Sequence, residues 1–176
     1  INKIINLVKI KDRHIVEIGS GKGALTNEIL KKKPRSLMII EKDKDLFKDL
    51  IKKYSSLNNI KIYNSDILKI NIENIIKPRS IVFGNLPYNI SSQILIKFIK
   101  FDNWPPNFTD LVFMFQKELG DKILGQFKTK NYSRISIMTN YRLVFEKKFS
   151  VSPNCFYPKP KVNSLVIHFS PKFNKK

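Results

Sequence analysis

Short apolar runs alternate along this chain with segments whose apolar residues recur at helical spacing. The apolar runs predict five strands, at residues 14–18, 37–41, 60–63, 80–84 and 110–115. The helical spacing predicts four helices, at residues 24–33, 43–54, 91–101 and 117–125. Because strands and helices alternate, we predict a parallel sheet with helices on both of its faces.

The last third of the chain departs from this alternation. Residues 132–140 predict a helix, and residues 142–151 and 163–169 predict two strands with no helix between them. The join between these strands is rich in proline, which resists regular structure. Two strands in succession are expected to pair antiparallel at a sheet edge. The predicted fold is therefore α/β, with a seven-stranded, mostly parallel sheet that has an antiparallel edge strand.

Length and composition exclude several classes of protein. A chain of 176 residues suits one domain with a hydrophobic core. One cysteine excludes a disulfide framework and a Cys-rich metal site, and two histidines leave little for a His-based site, so we expect no metal. The longest apolar runs are far too short for a membrane span, and no signal peptide is evident. We therefore expect a cytoplasmic protein, and a monomer by default.

The chain is strongly basic, with 33 Lys and Arg against 14 Asp and Glu and a formal net charge of +19. Lysine outnumbers arginine 28 to 5, which an AT-rich genome explains in part. Residues 122–176 hold 12 of the basic residues and a single acid, Glu146. A final third of one sign favours a polyanionic partner such as nucleic acid. A membrane surface, or charge that serves only solubility, is the alternative.

A glycine-rich segment, Gly19-Ser-Gly21-Lys-Gly23, follows the first predicted strand, and Glu17 stands two positions before it. Glycines let the backbone approach a ligand closely, and the start of the next helix offers free amide groups. No Gly-Lys-Ser/Thr ends the segment, which excludes a P-loop, and the dinucleotide pattern G-x-G-x-x-G is not matched. The acid with G-x-G resembles motif I of S-adenosylmethionine (SAM) methyltransferases. A structural tight turn is the alternative.

Acidic residues follow the next two predicted strands, where ligands bind in this fold class. Glu41, at the end of the second strand, is placed to accept both ribose hydroxyls of a nucleoside cofactor. Asp66, after the third strand, is placed to accept from an adenine amino group while the Ile67 amide donates to the ring. A solvated strand end and a turn-forming aspartate are the alternatives. The order of the three sites along the chain favours the cofactor.

The segment Asn85-Leu86-Pro87-Tyr88 follows the fourth predicted strand and resembles motif IV of amino-methyltransferases, which methylate exocyclic NH2 groups of bases. The N6 lone pair of adenine is delocalised into the ring and is a poor nucleophile. The Asn85 side-chain oxygen and the Leu86 carbonyl can accept its two N–H bonds and hold the nitrogen toward tetrahedral geometry. Pro87 stiffens the turn, and Tyr88 offers a flat face on which an extruded base stacks. A proline turn with a core tyrosine is the alternative.

Four segments in order resemble the KsgA-type ribosomal RNA adenine N6,N6-dimethyltransferases along nearly the whole chain. They are Asn85-Leu-Pro-Tyr-Asn-Ile-Ser91, Met114-Phe-Gln-Lys-Glu118, Tyr132-Ser-Arg-Ile-Ser136 and Phe156-Tyr-Pro-Lys-Pro-Lys-Val-Asn-Ser164. The resemblance implies a Rossmann-like class I SAM methyltransferase that transfers two methyl groups from SAM to each of two adjacent adenosines near the 3′ end of small-subunit rRNA. It also implies a role in ribosome biogenesis, with the pre-30S subunit as partner.

The resemblance also implies two groups of site residues in this sequence. The cofactor group binds the methionine end, the ribose and the adenine of SAM, and comprises Gly19, Gly21, Glu41, Asp66 and Ile67. The base group holds the target adenine and comprises Asn85, which also lies beside the cofactor, with Leu86, Pro87, Tyr88 and, on the opposite side of the base, Phe156. Phe156 stands in a proline-stiffened loop near Lys159 and Lys161, and an aromatic beside cations can grip a flipped base. A buried core phenylalanine is the alternative.

Two features of the family are absent here: a Gln-Asn-Phe-Leu segment before the first helix and a small helical C-terminal domain. We therefore expect a piece of a longer protein, with a methyltransferase domain at residues 1–171 and the start of a linker at residues 172–176. Erm-type large-subunit rRNA methyltransferases share the same motifs and are the enzyme alternative, although residues 114–118 favour the KsgA type. A non-catalytic RNA-binding assembly factor is the alternative from another class.

Overall fold

The computed structural model describes residues 1–156 and 159–173. Its strands are β1 (His14–Ile18), β2 (Ser36–Glu41), β3 (Ile60–Asn64), β4 (Ser80–Asn85), β5 (Phe108–Gln116), β6 (Leu143–Val151) and β7 (Ser164–Pro171). Its α-helices are α1 (Asn2–Ile5), α2 (Ala24–Lys31), α3 (Lys44–Tyr54), α4 (Ile72–Ile75), α5 (Ser91–Ile99), α6 (Lys117–Ile123) and α7 (Arg134–Arg142). A 3-10 turn, Pro153–Cys155, lies in the proline-rich join between β6 and β7.

The seven strands form one sheet in the order β3-β2-β1-β4-β5-β7-β6. The first five strands pair in parallel, and β7 pairs antiparallel with both β5 and β6. The predicted mostly parallel sheet with an antiparallel pair at its edge is confirmed. The reversed strand, β7, lies second from the edge, because the proline-rich join returns the chain between β5 and β6. The outermost strand, β6, therefore runs in the same direction as β5.

The central strands of the sheet are buried on both faces, whereas the outermost strand, β6, is largely exposed. Successive side chains of each strand point to opposite faces. On one face Val16 and Val82 pack with Phe98 of α5. On the other face Ile15 packs in a cluster with Leu50 of α3. The two faces are therefore both hydrophobic, as expected for a parallel sheet between helix layers.

Local chemistry explains where several elements begin and end. The Asp43 carboxylate caps α3 by accepting from the backbone N–H groups of Asp45 and Leu46, both at 2.9 Å. Helix α2 ends at Lys31, two residues before the predicted bound, because Lys33 has a φ of 53° and Pro34 follows. Helices α1 and α4 span four residues each, which is too short for a helical spacing of apolar residues to appear in the sequence. In the described part of the chain, no helix is long and apolar enough to cross a membrane.

Candidate active site

The strand order changes direction between β1 and β4, since β2 and β3 lie on one side of this pair and β5 on the other. Open α/β sheets bind ligands at such a point, outside the carboxyl ends of the strands. The predicted cofactor residues and the segment Asn85-Leu-Pro-Tyr88 all follow these carboxyl ends. The topology therefore brings them to one end of the sheet.

The glycine loop turns the chain sharply from β1 into α2. Gly19, Gly21 and Gly23 have φ angles of 69°, 56° and 80°, in the left-handed region that favours glycine. A Cβ on Gly19 would lie 3.1 Å from the backbone oxygen of Asn85, whereas a Cβ on Gly21 would meet no atom within 4 Å. The loop therefore contacts the end of β4 at Gly19 and leaves open space for a ligand beside Gly21.

Glu41 connects the glycine loop to the end of β2. Glu41 is only 7% exposed. Its Oε2 accepts from the Gly21 N–H at 3.1 Å, and its Oε1 accepts from the Asp43 N–H at 3.0 Å. The first bond holds the glycine loop in place and the second ties the Glu41 side chain to the turn after β2, a structural role that the sequence does not reveal. Each carboxylate oxygen has a further lone pair that can accept a hydroxyl. The contact of Glu41 with a ribose stays a prediction.

Asp66 forms both a turn and an ion pair after β3. Oδ1 accepts from the Leu68 N–H at 2.9 Å, and Oδ2 lies 3.0 Å from the Lys42 Nζ. The Leu68 hydrogen bond and then the Lys42 charge hold the pKa of Asp66 below its usual value. The turn-forming aspartate is therefore observed, and the carboxylate stays ionised. The neighbouring Ile67 side chain is buried in the core, so only its backbone is left for an adenine contact.

The segment after β4 is anchored on both sides of its proline. Asn85 ends β4 opposite Met114 of β5 and is exposed, whereas Leu86 is buried in the core. The half-buried Tyr88 accepts at its carbonyl from the Ser91 hydroxyl at 3.1 Å, and its own hydroxyl lies 2.7 Å from the Ser164 Oγ. The Asn85 side chain is therefore accessible, on a segment that is fixed by the burial of Leu86 in the core and by the contact between the Tyr88 and Ser164 hydroxyls.

Phe156 meets this segment across a cavity. A cavity of about 280 Å³ is bordered by Asn85, Tyr88, Met114 and Phe156. A neighbouring cavity of about 230 Å³ shares Asn85, Met114 and Phe156 and continues to Leu25 of α2. The structure thus brings together Asn85, Tyr88 and Phe156, which the sequence predicts for the target base. Tyr157 and Pro158 of the same motif lie outside the described residues.

The family model "Ribosomal RNA adenine dimethylase" matches residues 1–176. The chain belongs to this family. Ribosomal RNA small subunit methyltransferase A of Pelagibacter ubique is 44% identical over 176 residues, which cover 99% of this chain and 66% of that protein. The chain thus spans slightly less than two thirds of the length of that curated relative.

Solved structures agree with this membership of the ribosomal RNA adenine dimethylase family. A dimethyladenosine transferase from Plasmodium falciparum superposes with a TM-score of 0.83 at 32% identity, covering 97% of this chain and 60% of that one. The 23S rRNA methyltransferase ErmE superposes with a TM-score of 0.74 at 27% identity, covering 97% of this chain and 66% of that one. The fold of this adenine dimethylase family member is therefore that of a SAM methyltransferase.

In this family member, the structure reveals a buried acid beside the glycine loop. Glu17 is 1% exposed; its Oε2 accepts from the Thr26 hydroxyl at 2.7 Å, and its Oε1 has no hydrogen-bond partner in the residues described. Burial, with a smaller contribution from the charge of Glu41, raises the pKa of Glu17 to about 7. Glu17, the acid of the glycine motif, is therefore a buried carboxyl whose pKa lies near neutral pH. In the sequence, an acid inside an apolar strand is the signal of such a group.

Gly84 is a residue of the site that sequence reasoning misses. A Cβ there would lie 2.5 Å from the Leu86 Cδ2 and 2.9 Å from the Phe113 Cδ1. Two core side chains therefore occupy the space that any larger residue at position 84 would need. This packing sets the path of the chain into Asn85, and a Gly directly before the Asn-x-Pro-Tyr pattern is the signal in the sequence.

The residues of this family member fit SAM at the carboxyl ends of β1 and β2. The open space beside Gly21 lets a ligand approach the backbone, and the Glu41 carboxylate lies at that loop with lone pairs left for ribose hydroxyls. Gly19 contacts Asn85, so a ligand on the loop lies beside the target-base segment. No group of three or more His, Cys, Asp or Glu within residues 1–156 and 159–173 is placed to hold a metal ion.

Proposed function

We propose that this protein transfers methyl groups from SAM to the N6 atoms of two adjacent adenosines near the 3′ end of small-subunit rRNA. One observation carries the proposal: Asn85, Tyr88 and Phe156 border a single cavity, and Asn85 contacts the glycine loop at Gly19. Methyl donor and target base would therefore meet at Asn85. The family, and the 44% identity to a small-subunit methyltransferase, support the same reaction.

The residues that surround the base do the positioning. The Asn85 side-chain oxygen and the Leu86 carbonyl accept the two N–H bonds of the adenine amino group, which directs the nitrogen lone pair away from them. Tyr88 stacks on one face of the base, and Phe156 contacts the other. When bound, SAM supplies an activated methyl group for direct in-line transfer. The methylated nitrogen is acidic, so it releases its proton without a strong base.

A groove beside the cavity supports an RNA strand as the substrate. It has a volume of about 530 Å³ and lies close to the loop that carries Phe156; three lysines, Lys117, Lys130 and Lys161, and two acids, Glu118 and Asp121, border it. Lys117 is paired with Asp121 at 2.6 Å, so Lys130 and Lys161 are the better donors to backbone phosphates. Flanking nucleotides of a flipped adenosine would pass along this groove.

We further propose a cytoplasmic monomer that acts on the pre-30S subunit, with residues 1–171 as its catalytic domain.

The proposal is tested on under-methylated small ribosomal subunits incubated with labelled SAM and the full-length protein. Mass spectrometry of the adenosines is expected to show N6,N6-dimethyladenosine at two adjacent positions near the 3′ end. Large-subunit rRNA serves as the matched substrate, because the similarity to ErmE makes an Erm-type enzyme the second candidate. Methylation of large-subunit rRNA alone would assign the protein to that type. Subunit binding without methylation would indicate an assembly factor.

A further inference from the structure

Another cavity lies at the opposite end of the sheet, where β1, β2, β3 and β4 begin. It has a volume of about 280 Å³ and is bordered by His14 of β1, Ser36 of β2, Lys61 of β3 and, just before β4, Lys77. A water molecule occupies about 30 Å³ in the liquid, so this space accommodates a hydrated phosphate group. Neither the predicted cofactor site nor the target-base site uses it.

All charged side chains that border this cavity are cationic. Arg35, Lys61 and Lys77 line it, and no Asp or Glu does. Within residues 1–156 and 159–173, none of these three forms an ion pair with a carboxylate, although Lys42, which lies at the other end of β2, does. The cavity is therefore a concave surface of uncompensated positive charge.

His14 responds to that positive charge. Its Nδ1 lies 2.7 Å from the Ser36 Oγ. Partial burial, followed by the charges of Lys77, Arg35 and Arg13, lowers the pKa of His14. Every charged group that acts on the ring thus disfavours its protonation, and a bound anion would act in the opposite direction.

We propose that this cavity binds a phosphate group, and that in the whole protein the phosphate belongs to the RNA backbone at a point distant from the target base. Lysine and arginine with neighbouring hydroxyl and amide groups are the donors that phosphate oxygens take. Ser36 and Asn59 line the cavity; the Ser36 hydroxyl lies beside His14, and Asn59 donates one amide N–H to the Pro34 carbonyl at 3.3 Å and has a second N–H left for a phosphate oxygen. A phosphate at this end of the sheet would set the orientation of the domain on the RNA. The assignment to RNA rests on the proposed function, whereas the phosphate site does not.

The phosphate site is tested by NMR with inorganic phosphate as the probe. The chain has two histidines, His14 and His168, so a spectrum of His14→Gln assigns both rings. Phosphate is expected to raise the pKa of His14 saturably and to leave the positions of the His168 ring signals at fixed pH unchanged. Sodium chloride at equal ionic strength is the control. If the pKa of His14 does not change with phosphate, or changes equally with chloride, the phosphate site is overturned.

A pair of double variants separates the cavity from general charge. Lys61→Gln with Lys77→Gln is expected to abolish the phosphate response of His14. Lys44→Gln with Lys52→Gln removes the same charge from the exposed surface of α3 and is expected to preserve it. Loss of the response in both double variants would overturn the assignment to this cavity.

The RNA assignment is tested by the salt dependence of binding between the full-length protein and a 3′ fragment of small-subunit rRNA. For each RNA phosphate that the protein no longer neutralises, the slope of log K against log salt is expected to weaken by about 1. The cavity variant is therefore expected to bind with a shallower slope than the α3 variant. Equal slopes overturn the RNA assignment and indicate free phosphate as the ligand. Methylation by the wild-type protein is measured in parallel, so failure of the proposed function is seen separately from failure of the cavity.

Discussion

The Tyr88 hydroxyl lies 2.7 Å from the Ser164 hydroxyl, although 76 positions separate the two residues in the chain. Ser164 is fully buried at the start of β7, where it pairs with Gln116 of β5 and Val151 of β6. The bond therefore connects the segment after β4 to the antiparallel end of the sheet. It fixes the orientation of the ring on which we propose that the adenine stacks.

Replacing Ser164 by Ala is expected to slow methylation by about fivefold, since a hydrogen bond contributes about 1 kcal/mol. SAM affinity, measured by calorimetry, is expected to stay unchanged because Ser164 does not border the glycine loop. Tyr88→Phe removes the same bond from the other side. The double variant should therefore be no slower than the slower single variant. Additive losses would show that the two hydroxyls act independently.

Asn85→Ala is expected to lower the rate of adenine methylation by at least about 100-fold, because loss of one preorganised hydrogen-bonding group typically has an effect of about 10²–10³. Asn85 is exposed, so the melting temperature should change little. The rate is measured in single turnover on under-methylated subunits. Asn74→Ala, an exposed asparagine on α4, is the control and should react at the wild-type rate. Wild-type turnover by Asn85→Ala would contradict the proposed mechanism.

Phe156→Ala is expected to weaken the reaction with RNA by roughly 5- to 150-fold, since base stacking on an aromatic ring is worth about 1–3 kcal/mol. SAM affinity should fall much less, because Phe156 borders the target-base cavity and not the glycine loop. Phe156→Tyr keeps the ring and should restore most of the activity. An equal loss of SAM affinity and RNA reaction would contradict the stacking role.

The free energy of unfolding should depend on the ionisation of Glu17. Its pKa rises from 4.5 in the unfolded chain to about 7 in the fold, so the folded state binds the proton more tightly. The contribution of Glu17 to the free energy of unfolding is therefore fully present below pH 4.5 and is lost as the pH rises through 7. At about 1.4 kcal/mol for each pH unit between the two pKa values, the loss amounts to at most roughly 3–4 kcal/mol.

Urea denaturation at about pH 5 and about pH 8, on either side of the folded-state pKa, measures this effect. Glu17→Gln cannot ionise, so its stability should fall less between the two pH values than that of the wild type. Asp49→Asn removes an exposed acid from α3 and should retain the wild-type pH dependence. The same dependence in Glu17→Gln and wild type would show that this carboxyl does not titrate within the fold.

The local patterns of the chain predict its elements well. The long strands and helices are confirmed. They are predictable because an apolar run or a helical period is a property of neighbouring residues. Helices α1 and α4 have no helical period to detect, since each spans four residues. The end of α2 depends on the backbone of Lys33, and no spacing of apolar residues encodes it. Element bounds are therefore less predictable than the elements themselves.

The sequence by itself determined the α/β class, the glycine turn at Gly19–Gly23 and the candidate site residues, because strand–loop–helix motifs are local in the chain. Only the tertiary structure decided that β7 lies between β5 and β6, and hence that Ser164 meets Tyr88. Likewise, the bond from Gly21 to Glu41, the burial of Glu17 and the cationic cavity all arise where distant strand ends meet. Strand order is set by packing across the whole sheet, and no local period of the sequence carries it.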